Sequence, residues 1–376
     1  MNNTSIYCYI GIISILTAKR IMILSLTASM AAALVSCGDK GKAEAGSAVG
    51  SNAVVSADTS SEVSAWDMLT DKEKDFYNEL EKKGHTIKKD TGYVYIDAAG
   101  YSDEWGNTFG DEGIVISYYF GNDEVVHVPE EIDGKKVVNV AGPPMWKFGD
   151  TNDDHNDDHY YLDYMFNIRE LYFPEDLQEI KGAFNACETL EKIELPKSQT
   201  EIGFCCFRLC TGLKEFTCPE GLTVISESAF SDCKSMTSIT FNDGLKTIGT
   251  DAFSGCESLE KLEFPDTLES IGPQSFQMCK GLKEVNIPPK VDNIPKRAFM
   301  YCESLETLEL PESVTAIGSK AFAHCRDLKE IYIPETVSEI AETAFEDCDS
   351  LTIKGKAGSY AEEYAKINEI GFAAEG

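Results

Sequence analysis

The sequence predicts a mainly β repeat solenoid. It is a right-handed stack of 23-residue units built from short strands and turns, with a β module at the N-terminal end and a capping helix at the C-terminal end. Three observations carry this prediction. Phenylalanine recurs every 23 residues, at Phe184, Phe207, Phe230, Phe253, Phe276, Phe299, Phe322 and Phe345. A cysteine stands three residues after each, at Cys187, Cys210, Cys233, Cys256, Cys279, Cys302, Cys325 and Cys348. Apolar columns keep the same register, as in Leu190, Leu213, Met236, Leu259, Leu282, Leu305, Leu328 and Leu351. A period of roughly 20 to 50 residues marks one supersecondary unit stacked many times.

Within a unit, the alternation Ile331-Tyr332-Ile333 predicts a short strand with one face inward. A proline usually follows, as at Pro196, Pro219, Pro265, Pro288, Pro311 and Pro334, with Asn242 the exception. It ends the strand because it lacks an N–H for the ladder and fixes its own φ. An isoleucine closes the turn at Ile202, Ile225, Ile248, Ile271, Ile294, Ile317 and Ile340. One unit cannot bury so many apolar columns, but stacked copies bury them against each other. At about 4.8 Å per strand, some nine rungs make a rod on the order of 40 Å long. Gln199 replaces the Leu or Val of other units and predicts one wetter rung, and Leu162 and Met165 stand for Phe and Cys in a degenerate first rung.

The ends read differently. Thr70 with Glu73 makes a capping box for a helix running to about residue 83, stopped by Gly84. Residues 93–96 and 114–120 read as strands of the N-terminal β module. Residues 359–368 read as a helix with Ser359 as N-cap and Tyr360, Tyr364 and Ile367 on one face. Its expected task is to cover the apolar end of the last rung.

The pattern L-x-x-[ILV]-x-[ILF]-P, then [LV]-x-x-I-G, then A-F-x-x-C resembles the BspA-type leucine-rich repeat family of bacterial surface proteins, over roughly residues 93–376. Val125-Val126-His127-Val128-Pro129, with 132–138 behind it, is similar to that family's opening repeat. Residues 356–361, running on to Tyr364-Ala365, are similar to its closing segment. The resemblance implies a leucine-rich-repeat stack and cell-surface recognition or adhesion. It implies no cofactor and offers no catalytic residues to carry over.

Charge and address narrow the partners. Sixty-four acidic against 33 basic residues give a net charge of −31. Nucleic acid and anionic lipid need a positive footprint and are excluded as partners; cationic peptides, basic protein patches or divalent ions fit the sign. Residues 1–36 read as a signal peptide, with Lys19-Arg20 as the charged region and 21–33 as the apolar one. Leu34-Val35-Ser36-Cys37 resembles the lipobox of bacterial lipoproteins, which implies diacylation of Cys37 and an extracytoplasmic, lipid-anchored place at the cell surface. Membrane contact is then expected through the lipid anchor alone. Residues 37–65, rich in Gly, Ala and Ser and without aromatics, read as a flexible tether. A short helical segment (66–92), the N-terminal β module with an acidic insertion (93–161), the repeats (162–354) and a C-terminal cap (355–376) complete the expected organisation.

Few residues point to chemistry. Zinc sites use Cys-x-x-Cys pairs or Cys/His clusters, and only Cys205-Cys206 and Cys210 stand close together. The ladder thiols are expected one strand spacing apart, wider than the roughly 3.8 Å between Cβ atoms of a disulfide, each a small buried hydrophobe. In the insertion, Asp150, Asn152, Asp154, Asn156 and Asp158 alternate as in a calcium loop. His155 and His159 are four apart, a spacing that on a helix suits zinc or another transition metal. Against calcium, His155 stands where the loop glycine belongs and Tyr161 where the closing Glu belongs. The plain alternative is a solvated acidic loop. His324-Cys325 is the chain's one adjacent His–Cys pair, and Cys325 is a ladder position; no enzyme is predicted.

What remains is the outward side of the strands. One row reads Glu194, Thr217, Thr240, Glu263, Asn286, Glu309 and Tyr332; its neighbour reads Lys192, Glu215, Ser238, Lys261, Glu284, Thr307 and Glu330. Tyr172 and Tyr332 bracket the first row as anchors, since Tyr offers contact area at low entropy cost. These rows are the expected binding face for a protein or peptide ligand, such as a host or bacterial surface protein. The alternatives are a passive spacer of the envelope or a metal-dependent receptor centred on residues 150–159.

Overall fold

Each repeat forms one rung carrying two short strands, and the strands pair in parallel with their counterparts one rung on, in a series of short ladders. In the front row Phe216 lies opposite Ile239, and in the back row Ile225 lies opposite Ile248 and Ile248 opposite Ile271. The pairing offset equals the sequence period, so every column of the sequence becomes a column in space. The computed structural model describes residues 65–68, 71–90, 92–98, 113–119, 123–141, 168–177, 179–181 and 184–375, all within one compact unit. The signal peptide, most of the tether with Cys37, Thr70, and residues 142–167 with the acidic insertion, Leu162 and Met165 lie outside the described residues.

The front row begins with the opening repeat. Val125–His127 pairs in parallel with Glu170–Tyr172, which pairs with Lys192–Glu194. The back row begins at Lys135–Ala141, which pairs in parallel with Glu179–Lys181. On its other side Lys135–Ala141 pairs with Ile114–Tyr119, followed by Tyr93–Asp97 and Thr86–Lys88. The N-terminal module is thus an outward continuation of the back sheet, closing that end of the stack. Helix α1 (Asp71–Lys82) precedes it and stops before Gly84, whose φ of +96° suits a residue without Cβ.

The Phe column is a stack of rings. Centroids from Phe184 to Phe345 follow one another at 5.2–5.8 Å with interplanar angles of 3–23°. This is the offset stacking that aromatic quadrupoles favour, at a spacing the backbone ladder imposes. Phe207 to Phe322 are completely buried. The Cys column does more than fill space. Each thiol from Cys210 to Cys348 donates to the carbonyl of the preceding rung's Phe, as Cys233 Sγ does to Phe207 O at 3.1 Å and Cys279 Sγ to Phe253 O at 3.3 Å. The thiols are free and buried, and burial pushes that of Cys348 up to about 12, as it does the Cys218 thiol outside the column.

The turns around the Phe residues are built mostly from left-handed residues that are not glycine. Two positions before the Phe stand Cys205, Ser228, Asp251, Gln274, Arg297 and Lys320; two after stand Ala186, Leu209, Asp232, Met278, Tyr301, His324 and Asp347, all with φ between 51° and 63°, with Gly255 the exception at +77°. Such a conformation costs an L-residue about 1–2 kcal/mol. The next rung offsets it at most of these positions, where the N–H donates to its carbonyls: Cys205 to Glu227 at 3.1 Å, Leu209 to Ser231 at 2.8 Å, Asp232 to Ser254 at 2.7 Å. At the corner after the back strand the rungs come closest. A Cβ on Gly272 would stand 2.4 Å from the backbone of Gly249, which explains the Gly of the I-G pair.

Two sequence expectations change. Gln199 is 2% exposed rather than wetted, and its amide donates to the Glu201 carbonyl. Helix α2 (Tyr360–Ile367) has the expected cap, Ser359 Oγ accepting from the Glu362 N–H, but turns a different face inward. Ala361, Tyr364 and Ala365 are buried, whereas Tyr360 and Ile367 are exposed, because two small alanines let the helix lie close on the last rung. Tyr364 ends the ring stack edge-on to Phe345 at 6.0 Å, and its hydroxyl donates to Ala341 and Glu342 carbonyls. A further strand, Gly371–Glu375, pairs in parallel with Thr352–Lys356 and completes the cap.

Removing one ring from the interior of the stack should be costly. Phe253→Ala is expected to lower stability by about 3–5 kcal/mol in denaturant unfolding, since both neighbouring rungs lose packing and a cavity remains. The ladder thiols are expected to resist alkylating reagents until denaturant is added, read by mass spectrometry of the labelled full chain; rapid labelling of most of them in the folded protein would contradict their burial.

Candidate functional site

Front strands alternate as their pattern requires: Ile193 is buried and Lys192 and Glu194 are exposed, and the same holds for Phe216 between Glu215 and Thr217. Seven rung steps at about 4.8 Å place Tyr172 and Tyr332 roughly 34 Å apart. The face therefore has two aromatic ends with a polar middle.

At the N-terminal end, Tyr172 stacks on His127 with centroids 4.6 Å apart, and Lys192 Nζ lies 5.0 Å above the Tyr172 ring. Tyr172 donates to Glu170, and Lys192 reaches both the Tyr172 hydroxyl at 3.1 Å and Glu194 at 2.7 Å. Hydrogen bonds to Glu194, then Tyr172, hold the Lys192 ammonium well above its ordinary range. In the middle, Lys261 bridges Glu263 at 2.8 Å and Glu284 at 3.1 Å, and these bonds raise its pKa. All these groups are largely exposed, so the pairs fix side-chain positions more than they stabilise the fold. Asn286 faces the backbone instead: its amide oxygen accepts from the Phe264 N–H at 2.7 Å and its amide nitrogen donates to the Phe264 carbonyl at 3.1 Å.

The C-terminal end is concave. A groove of about 390 Å³ is lined by Glu284, Val285, Leu308, Glu309, Glu330, Tyr332, Lys354 and Glu375, among others. Lys354 lies 2.8 Å from Glu330 and 3.9 Å from Glu375. Burial, followed by the carboxylates of Glu312, Glu375, Glu309 and Glu335, raises the pKa of the Tyr332 phenol. Sequence reasoning missed Lys354 and Glu375. The last repeat is one residue short, so Glu330 faces Thr352 rather than a residue 23 on, and Glu375 belongs to the unexpected final strand.

Other candidates separate. His324 Nδ1 lies 2.9 Å from Asp347 and its ring stacks on Tyr301, whereas the Cys325 thiol donates to the Phe299 carbonyl. The two side chains are thus engaged with different partners. Among the described residues no group of three or more His, Cys, Asp or Glu is disposed to hold a metal, and no helix is long and apolar enough to cross a membrane. Asp150, Asn152, Asp154, His155, Asp158 and His159 lie outside the described residues.

Comparison with known proteins agrees with this architecture. The model of the BspA type leucine rich repeat region matches in six copies, over residues 162–256 and 223–352. No curated protein matches. Among solved structures, a leucine-rich repeat protein from Bacteroides ovatus is 23% identical, with 72% of this chain and 70% of that one covered and a TM-score of 0.49. A leucine rich repeat protein from T. pallidum is 26% identical over 65% of this chain and 91% of that one, with a TM-score of 0.39. A leucine rich cell surface protein from Faecalibacterium prausnitzii is 21% identical over 74% and 97%, with a TM-score of 0.30. These scores fall below 0.5, so the assignment rests on the repeat model, whose matches together span just over half of the chain. The repeats, their register and that match identify the chain as a member of the BspA-type leucine-rich repeat family.

Proposed function

We propose that this chain is a surface-displayed binding or adhesion module whose outward front strands contact another protein. The observation that carries the proposal is the outward front row itself, with half-buried Tyr172 at one end, half-buried Tyr332 at the other and a ring-and-thiol spine behind. A ligand that spans several rungs gathers many small contacts without ordering the receptor, which keeps the entropic cost of binding low. Lys192, Glu194, Glu215, Lys261, Glu263, Glu284, Glu309 and Glu330 supply the polar contacts, while Asn286 serves the scaffold. The proposed address is extracytoplasmic, with Cys37 as the lipid-anchor site; its support is the apolar segment and the lipobox resemblance. No catalytic step is assigned.

Surface-protein extracts passed over the immobilised full chain test this reading. A front variant (Glu194→Arg, Glu263→Arg, Glu309→Arg) is compared with a variant of equal charge change elsewhere (Glu220→Arg, Glu269→Arg, Glu339→Arg). For a protein retained by the unaltered chain, the front variant is expected to bind about tenfold more weakly or worse, the scale of one hot-spot contact. The other variant should bind within about twofold of the unaltered chain. Equal behaviour of the two would favour a passive spacer.

A further inference from the structure

The groove at the C-terminal end of the front face has a structural cause. Other repeats place Ile, Phe or Leu at the inward position of the front strand, as in Ile239, Leu262 and Leu308, and these are buried. Val285 is shorter and only partly buried. The front sheet is also interrupted here, as it is after Glu194 and after Thr240: Glu284–Val285 belongs to one ladder and Thr307–Glu309 to the next. Asn286, which could have filled the gap, is turned to the Phe264 backbone. The result is a shallow, mostly polar dent with Tyr332 as its wall and a rim of carboxylates.

Lysines neutralise part of the rim: Lys261 pairs with Glu284, and Lys354 with Glu330 and, at 3.9 Å, with Glu375. Lys283 turns away to Glu260 at 3.3 Å. Glu309, beside Tyr332 in the lining, enters no ion pair among the described residues. The groove crosses five successive front strands, from Glu284–Val285 to Gly371–Glu375. At about 4.8 Å per strand that is roughly 19 Å, the length of about six extended residues.

We propose that this groove receives an extended, cationic polypeptide segment lying across the strands, with an Arg or Lys side chain over the Tyr332 ring and paired with Glu309. The proposal rests on the binding-face reading and names the partner's chemistry within it. An aromatic face beside the unpaired Glu309 carboxylate suits a guanidinium through cation–π and charge-assisted bonds together. An acidic segment would meet repulsion, and a neutral one would leave Glu309 unpaired. Alternation of side chains along an extended segment puts every second residue toward the groove.

The test uses a labelled, end-blocked Arg-Ala-Arg-Ala-Arg-Ala peptide and its Glu-for-Arg counterpart, titrated with the full chain by fluorescence anisotropy at about 0.15 M salt. The arginine peptide is expected to bind and the glutamate peptide not to. Glu309→Lys should weaken binding by about tenfold or more and Tyr332→Ala by about threefold or more, whereas Glu339→Lys, an equal charge change on an exposed back-row position, should stay within about twofold. Thermal unfolding curves matched to the unaltered chain confirm that these substitutions leave the fold intact. Equal weakening by Glu309→Lys and Glu339→Lys, or no binding of the arginine peptide, overturns the proposal. If either occurs while a protein captured by the full chain still depends on the front row, the groove assignment fails alone. If that capture ignores the front row, the binding-face reading fails.

Discussion

Parallel backbone pairing at a fixed 23-residue offset makes each residue sit above its own counterpart, one rung spacing away. At that spacing a ring meets a ring and a thiol meets the carbonyl of the preceding Phe. Ring stacking, thiol bonds and left-handed turns therefore share one geometric origin. The turn conformation is unfavourable for a single unit and is tolerated because the neighbouring rung accepts its N–H groups. Stability is accordingly a property of neighbouring rungs, and the ends need covers: the N-terminal module extends the back sheet, and α2 with the final strand closes the front.

The same constraint decides where function can lie. The ladder cysteines from Cys210 to Cys348, conspicuous as they are, spend their protons on backbone carbonyls in a buried column where burial raises their pKa. The face that solvent meets is the outward side of the front strands. Its character changes along the axis because each rung contributes one or two residues, so a single substitution alters the surface locally while the spine stays constant. Val285 is the clearest example: one methylene less in an inward column opens a groove among outward carboxylates.

Much of the scaffold was legible from the residues. Phe and Cys columns, front-strand alternation and the Ser359 cap depend on periodicity and local chemistry, and all stand where the pattern put them. The rest depends on partners in other rungs. Nothing in Gln274, Arg297 or Tyr301 announces a left-handed φ, because glycine is the usual mark of that conformation and the inter-rung bonds replace it. Gly371–Glu375 is poor in β-branched residues and becomes a strand only because Thr352–Lys356 offers an open edge. The buried face of α2 follows from the close approach its alanines permit, which outweighs the larger side chains at Tyr360 and Ile367. On the face, the outward residues could be named in advance, but not the ion pairs among them or the groove that Val285 leaves.

Deleting a whole rung tests the central claim, that one offset holds the stack together, most directly. Removal of residues 254–276, one 23-residue period, rejoins Phe253 to the following rung in register; removal of 255–276 leaves the next columns one residue out of step. Circular dichroism and thermal unfolding compare the two. The account predicts a single cooperative transition and an undiminished strand signal per residue for the in-register deletion, and a broadened, lowered transition for the other. Indistinguishable unfolding of the two shortened chains, or collapse of the in-register one, would contradict it.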